Sequence, residues 1–307
     1  MSRAISDFAR HAFRAYRNGP ITLGHSLIRR SLNLLLPHRQ EICLRSGLKL
    51  SLDLSKGNQN GIFWEDGDAE APLYWAIREL VPLGGTFVDC GANCGLMGLL
   101  AYQYRMAHVI MIEPHPRLAK SIQANIKLNH CSSSCELIEA AVSDAPGEAT
   151  FYENPNADGS HSIHSDWPGE KRVLGNVLCV TLQEIMESRR ISKIHFLKID
   201  VEGNEYAALK GLGERLEPAF VELIYAEMSR NREAICELME SRGYVGFVNK
   251  VRRRRETVRL RKFYEKGGRV AFFAPLKESS ELSWDTLWCG KNSPAEVLLN
   301  SLTLHHR

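Results

Sequence analysis

From about residue 86 onward, two rhythms of apolar positions alternate along the chain. Short aliphatic runs occur at Thr86 to Val88, Val109 to Ile112, Leu137 to Val142, Leu178 to Leu182, Ile194 to Ile199 and Ala219 to Ala226. Between them, apolar residues recur three and four apart: Leu96 to about Tyr104, then Leu118, Ile122 and Ile126, then 182 to about 188, then Leu209, Leu212 and Leu216, then Ile235, Leu238 and Met239. The first rhythm predicts buried strands and the second amphipathic helices. Their regular alternation predicts a mostly parallel sheet with helices on both faces. Gly147 to Tyr152 reads as an extra edge strand, and Tyr244 to Val248 with Arg269 to Phe273 as a terminal antiparallel pair.

The chain ahead of this alternation is patterned differently. Ile5, Phe8, Ala9, Ala12, Phe13 and Tyr16 share a helical face, with Arg3, Arg10, Arg14 and Arg17 largely opposite, and Leu27 to Leu36 forms a second apolar stretch ending at Pro37. Residues 41 to 54 predict a β-hairpin turning at Ser46-Gly47, and 69 to 82 a helix covering the sheet. Residues 153 to 173 are polar and irregular, the mark of a lid, a binding loop or disorder. These contrasts divide the chain into an extension at 1–60, a core at 61–275 and a tail at 276–307. In the tail, Ser293-Pro294-Ala295-Glu296 announces a short helix by a capping box.

The junction at 86 to 98 carries the chemistry. A strand reaches Asp89, Gly91, Ala92 and Gly95 turn the chain, and a helix follows; ligands of doubly wound sheets lie at such carboxyl ends. A dinucleotide turn needs G-x-G-x-x-G so that backbone can approach a pyrophosphate, but here the glycines fall at 91, 95 and 98. An acid, a small-residue turn and a helix start suit a nucleoside joined to a zwitterionic amino acid, as in S-adenosylmethionine. Asp89 would attract the ammonium, directly or through water, and the first helical turn would receive the carboxylate. The same glycine spacing counts against a nicotinamide-dependent reductase.

Composition narrows the setting. The hydrophobic share of 44% and charged share of 24% are those of a globular protein, and no apolar run approaches the ~18 residues of a spanning helix. The expected location is cytoplasmic, at most peripheral to the inner face of a membrane. Eight scattered cysteines without a C-x-x-C pair read as reduced thiols rather than a zinc or disulfide framework. Charge is uneven: residues 250 to 269 hold ten Lys or Arg against Glu256 and Glu265, so the rest of a chain of formal charge +3 is net acidic. That stretch and residues 3 to 36 are candidate contacts for an anionic membrane, and the stretch alone for a phosphate-linked sugar. Nucleic acid is a weaker partner, because no RNA-binding aromatic motif or Asn/Asp-Pro-Pro-Tyr element accompanies the charge.

Three segments together resemble the FkbM family of S-adenosylmethionine-dependent methyltransferases: FVDCGANCG at 87–95, VIMIEP at 109–114 before a helix with Asn125 and Asn129, and FLKIDVEGNEYAALKG at 196–211. AAVSD at 140–144, VTLQEIM at 180–186 and the pair Trp64-Glu65 support it, over about residues 60 to 275. Cys90 and Cys94 depart from the family's usual aliphatic residues. The resemblance implies a Rossmann-like class I methyltransferase fold: a seven-stranded sheet, mostly parallel with the last strand antiparallel. It also implies O-methylation, often of sugar hydroxyls or natural products. Carried over, Asp89, Gly91, Ala92, Asn93 and Gly95 line the methionine half of the cofactor. Glu113, with Pro114 after it, meets the ribose; Ala141 and Val142 edge the adenine; Asp200 lies near the methyl group.

Two candidate bases follow, Asp200 and Glu202. They point to one side if the extended backbone continues through Val201. Asp200 could instead only bond the cofactor, Glu202 could be a helix-start carboxylate, and the pair could hold a divalent cation. His161 and His164 in the polar loop are further candidates for meeting the acceptor. A catalytically silent binding module on the same fold is the alternative to an enzyme.

Overall fold

A computed structural model describes residues 9–10, 13, 25–66, 70–104, 106–157, 159–249, 260, 264, 267, 270, 272–276 and 285–304. Most of the predicted 3–17 helix, most of the basic stretch 250–269 and the terminal His305-His306 lie outside the described residues.

Helix α1 (His25–Leu35) precedes the hairpin β1 (Arg39–Cys43) and β2 (Lys49–Asp53), followed by α2 (Gly57–Glu65) and α3 (Ala71–Leu80). The alternating core runs β3 (Thr86–Cys90), α4 (Leu96–Gln103), β4 (His108–Ile112), α5 (Pro116–Leu128), β5 (Cys135–Ile138), β6 (Ala141–Val142), β7 (Gly147–Glu153), β8 (Arg172–Val180), α6 (Leu182–Ser188), β9 (Phe196–Ile199), α7 (Glu205–Lys210), β10 (Leu223–Glu227) and α8 (Arg232–Ser241). It closes with β11 (Tyr244–Asn249), β12 (Phe273–Pro275), β13 (Asp285–Gly290) and α9 (Pro294–Leu304). One sheet has the order β12-β11-β13-β10-β9-β3-β4-β5. Strands β3, β4, β5, β9 and β10 run parallel, and β13 is antiparallel to both its neighbours.

This is the expected class I architecture with three differences. The sheet has eight strands instead of seven, since β12 adds an edge. Residues after 275, read as a tail, supply β13 between β10 and β11, because Leu287, Trp288 and Cys289 bury completely there. The expected third strand also splits. Cys135–Ile138 stays in the sheet, whereas Ala141–Val142 turns away to pair with Cys179 and Val180 of β8. With β7, these form a separate three-stranded sheet, so neither 147–152 nor 178–182 joins the main one.

The hairpin forms in the expected place, with Gly47 at φ 89° in its turn. Ile42, Leu50 and Leu52 enter the same apolar core as Phe87 and Phe196 of the central strands. Two asparagines clip it down. Asn125 accepts from Ser51 N at 2.7 Å and donates to Cys94 O at 2.9 Å, and Asn129 brackets Lys49 N and O. Arg10, set opposite the apolar positions of its segment, does not face solvent. It is buried, donating to Phe63 O at 2.9 Å and pairing with buried Asp66 at 3.2 Å. All eight cysteines are free thiols.

Candidate active site

The parallel strands deliver their carboxyl ends to one edge of the sheet, and the chain turns there within tight limits. Gly91 has φ 76°, and a Cβ on it would lie 1.8 Å from Asp200 O, so only glycine lets the turn after β3 pass the end of β9. Gly91 N and Ala92 N both donate to Ile112 O, at 3.0 and 3.2 Å. Asn93, in the left-handed region at φ 54°, turns its N–H to Glu113 Oε2 at 2.9 Å. The other oxygen, Oε1, accepts from His115 N at 3.0 Å. Two backbone donors thus fix the Glu113 carboxyl at the end of β4.

Above this edge is a cavity of about 260 Å³. Of the residues singled out from the sequence, Asp89, Gly91, Ala92, Asn93, Glu113, Pro114, Ala141, Val142, Asp200 and Glu202 line it. Gly95 does not; it caps the start of α4 in the left-handed conformation, against Met111 and Ile122. Asp89 is wholly buried, with Oδ2 accepting from Gly98 N at 3.1 Å in the first turn of α4 and Oδ1 3.3 Å from Lys198 Nζ. Gly98 N and Lys198 thus hold the carboxylate at the wall of the cavity.

Lys198 is the residue the sequence reading missed. It lies in the fully buried strand β9, and its ammonium sits 3.3 Å from Asp89 and 3.2 Å from Asp200 Oδ2. Burial works against its charge, but the Asp200, Asp89 and Glu70 carboxyls outweigh that and hold its pKa above the usual lysine value. A lysine inside Phe-Leu-Lys-Ile was the available signal, since a cation in such a strand requires a buried partner. Glu70, at the start of α3, also faces the cavity, and burial raises its pKa to about 7. Glu113 is likewise raised to about 7 by burial, against the pull of its two backbone hydrogen bonds.

Asp200 and Glu202 do not reach the cavity as alternating residues of one strand. Strand β9 ends at Ile199, and Glu202 has φ 53° in a left-handed turn. They remain electrostatic neighbours: burial first, then the Asp200 charge, raises the Glu202 pKa to about 8. Nor is Glu202 the helix-start carboxylate. That position belongs to Glu205, which is buried and accepts from Val201 N and Gly203 N.

The polar loop after β7 is folded across the cavity. His161 lies 4.7 Å ring to ring from His115, which stacks beside the Glu113 end and is 3.3 Å from Glu153. One residue on, Ser162 Oγ donates to Glu202 O at 2.7 Å. The strap thus spans both ends, and His161 lines the cavity. His164 is not in the lining; its ring is 3.2 Å from Asn204, which is. Trp167 closes over Gly203, where a Cβ would come within 2.5 Å of the indole, and Arg230 stacks on the outer face of that ring. Among the described residues no His, Cys, Asp and Glu cluster has a metal-holding arrangement.

The site's donor set fits S-adenosylmethionine. The glycine turn lines the cavity at the end of β3, and Glu113 has lone pairs beyond its two N–H bonds for ribose hydroxyls.

Comparison with known proteins agrees. The model of the methyltransferase FkbM domain matches residues 89–245, just over half of the chain. Methyltransferase sdnD of Sordaria araneosa is 24% identical over 194 residues, covering 53% of this chain and 75% of that protein. Methyltransferase 1 of Beauveria bassiana is 24% identical over 189 residues, covering 53% and 73%. Among solved structures, the FkbM methyltransferase of Methylobacillus flagellatus aligns with a TM-score of 0.44 at 15% identity, covering 75% of this chain and 52%, about half, of that one. The strand order, the glycine turn and the matched domain lead to one assignment: the chain belongs to the FkbM family of S-adenosylmethionine-dependent methyltransferases.

Proposed function

We propose that this enzyme methylates a hydroxyl group, and that the hydroxyl belongs to a sugar in a glycan or a glycosylated precursor. The observation that carries the reading is Asp200, a carboxylate at the end of central strand β9, 36% exposed to the cavity and held by Lys198 at 3.2 Å. When bound, S-adenosylmethionine supplies a methyl group on a sulfonium centre, which is already a strong electrophile.

The chain's own part is to hold, orient and deprotonate. Glu113 takes the ribose hydroxyls, with Pro114 beside it, while Ala141 and Val142 bound the adenine. Gly91, Ala92 and Asn93 form the cradle for the methionine half, and Asp89 with Gly95 fixes the start of α4 beneath it. Asp200 takes the proton of the acceptor hydroxyl as the oxygen–carbon bond forms. Lys198 holds that carboxylate in place at 3.2 Å, and the strap from His161 to Ser162 excludes water. Glu202 and Glu70, with pKa values near 8 and 7, present partly protonated carboxyls. Such a wall suits a polyol, whose hydroxyls donate to carboxylates and accept from carboxylic acids.

Helix α1 supports a peripheral membrane contact. Leu34 and Leu35 are 87% and 68% exposed, on the helix that carries Arg29. A lipid-linked or phosphate-linked sugar would reconcile this face with the basic stretch. No helix among the described residues is long and apolar enough to cross a membrane.

The test is transfer of labelled methyl from S-adenosylmethionine to a panel of neutral, phosphorylated and lipid-linked sugars. A comparison of methylated sugars in cells with and without the protein guides the panel. Asp200→Asn is expected to lower turnover by about 10²-fold. Unchanged turnover removes Asp200 as the base, and transfer confined to non-sugar hydroxyls overturns the glycan reading.

A further inference from the structure

We propose that His115 and His161 are positioning residues for cofactor binding: each works as a neutral imidazole whose Nδ1 accepts a backbone N–H, and together they hold Glu113 and the strap in place. The inference rests on the reading of Glu113 as the ribose-binding carboxyl.

The hydrogen bonds assign the tautomers. Arg117 N donates to His115 Nδ1 at 3.1 Å, which makes His115 the N-cap of α5. A neutral imidazole has one bare nitrogen and one N–H, so the His115 proton is on Nε2, 3.3 Å from Glu153 Oε1. Asn154 N donates to His161 Nδ1 at 3.1 Å, so the His161 proton is on Nε2 as well. The first bond starts the helix behind Glu113, and the second closes the strap between Asn154 and His161.

His115 reaches Glu113 through its own backbone. Its N–H donates to Glu113 Oε1 at 3.0 Å, while its ring lies 4.7 Å from His161 and 6.1 Å from Phe151. A residue that caps α5 with its ring and grips Glu113 with its amide passes any displacement of the ring on to that carboxyl.

An imidazolium has two N–H groups and no acceptor. A proton on either Nδ1 therefore sets N–H against N–H and releases the α5 cap or the strap; a proton on both places two cations 4.7 Å apart, ring to ring. Among the described residues, the charged groups facing the pair are Glu113 at the end of β4, Arg117 of α5 and Glu153 of β7, which Arg172 of β8 also holds. Burial, then His161, keeps the His115 pKa below the ordinary histidine value of 6.5, against the pull of Glu153. The two bonds hold while the rings are neutral and are lost as acid protonates them. Cofactor affinity falls with them below pH 6.5.

The experiment has a direct and a functional arm. Nitrogen-15 NMR of the full chain with labelled histidine, without ligand, reads which ring nitrogens carry protons at pH 7.5. Both His115 and His161 are expected with a bare Nδ1, and a protonated Nδ1 in either ring overturns the proposal. Calorimetry with S-adenosylhomocysteine at pH 7.5 and 5.5 reads the consequence, with Glu113→Gln as the background so that titration of Glu113 itself does not contribute. In that background, affinity is expected to fall about tenfold between the two pH values, the size of a lost N-cap. Adding His115→Asn and His161→Asn, whose amide oxygens can stand in for Nδ1 but take up no proton, is expected to shrink the fall to under about twofold and to leave affinity at pH 7.5 within about threefold of the background. His115→Ala, which leaves Arg117 N without its acceptor, is expected to lose about tenfold already at pH 7.5. An undiminished fall in the Asn variants, or no fall in the Glu113→Gln background, overturns the proposal. If His161→Asn does not fold by circular dichroism, His115→Asn alone is expected to reduce the fall to about threefold or less. Undiminished affinity in Glu113→Ala would instead remove the ribose reading, on which the nitrogen-15 arm does not depend.

Discussion

The two ends of the cavity are built from different materials. At the cofactor end, each carboxylate is gripped by backbone: Glu113 by Asn93 N and His115 N, and Asp89 by Gly98 N. At the acceptor end, a side chain grips a side chain: Lys198 on Asp200. Backbone donors are fixed by the turn that presents them and vary little. The side-chain network depends on which strands lie next to each other, so it sets acceptor preference without disturbing the cofactor cradle. Lys198 touches both, and its removal gives the largest expected effect. Lys198→Met leaves the wholly buried Asp89 carboxylate without its cation, a loss of about 3–5 kcal/mol. Urea unfolding reads this directly; a loss under about 1 kcal/mol would mean the two ends do not share their charge.

This contrast also explains what the sequence disclosed. The cofactor end is legible because its parts are local. Asp89, Gly91 and the start of α4 lie within one turn, and Glu113 follows at the end of the next strand. The strand–helix alternation was legible for the same reason. The acceptor end was half visible. Asp200 stands in a recognisable segment, but Glu227 joins it only through the β9–β10 register and Asp285 only because β13 inserts beside β10. That insertion is set by the burial of Trp288, which no local pattern fixes to one neighbour. Glu202 reaches the cavity by a turn and not by strand alternation, because φ is positive there.

Next in size is a change at the cofactor end alone. Glu113→Ala should weaken S-adenosylmethionine binding by about thirtyfold, about 2 kcal/mol, by removing a charged acceptor of ribose hydroxyls. Calorimetry checks it, and unchanged affinity would remove the ribose role. In wild type the same carboxyl gives a pH dependence. With its pKa near 7 in the free protein, affinity should rise as pH increases through 7, where the accepting ionised form prevails. Glu113→Gln should flatten that rise.

A smaller effect compares the ends through stability. Glu70, Glu113, Glu202 and Glu227 have folded pKa values of about 7, 7, 8 and 9, above the value of 4.5 for an ordinary glutamate. The folded state thus binds more protons than the unfolded one between pH 4.5 and about 9, and stability falls as pH rises through that window. The melting temperature should drop by a few degrees from pH 6 to pH 9. Glu227→Gln should remove the upper part of the decline and Glu113→Gln the lower part. A melting temperature that rises over this range would contradict the protonated carboxyls.

The smallest effect tests whether the strap joins the two ends. His161 packs beside His115 at the cofactor end, and the next residue, Ser162, bonds Glu202 O at the acceptor end. Ser162 Oγ also accepts from His164 N at 3.1 Å, so Ser162→Ala removes one donor and one acceptor. A pair of neutral hydrogen bonds in a half-buried loop contributes about 1 kcal/mol net, or about fivefold in an equilibrium. If the strap closes as one piece, S-adenosylhomocysteine affinity should fall by about that factor, although Ser162 bonds the acceptor end and not the ribose side. Proteolytic cleavage within the loop should quicken by a similar factor. Faster cleavage with undiminished affinity would instead mean that His161 holds the cofactor end closed by itself, and that the two halves of the cavity are covered independently.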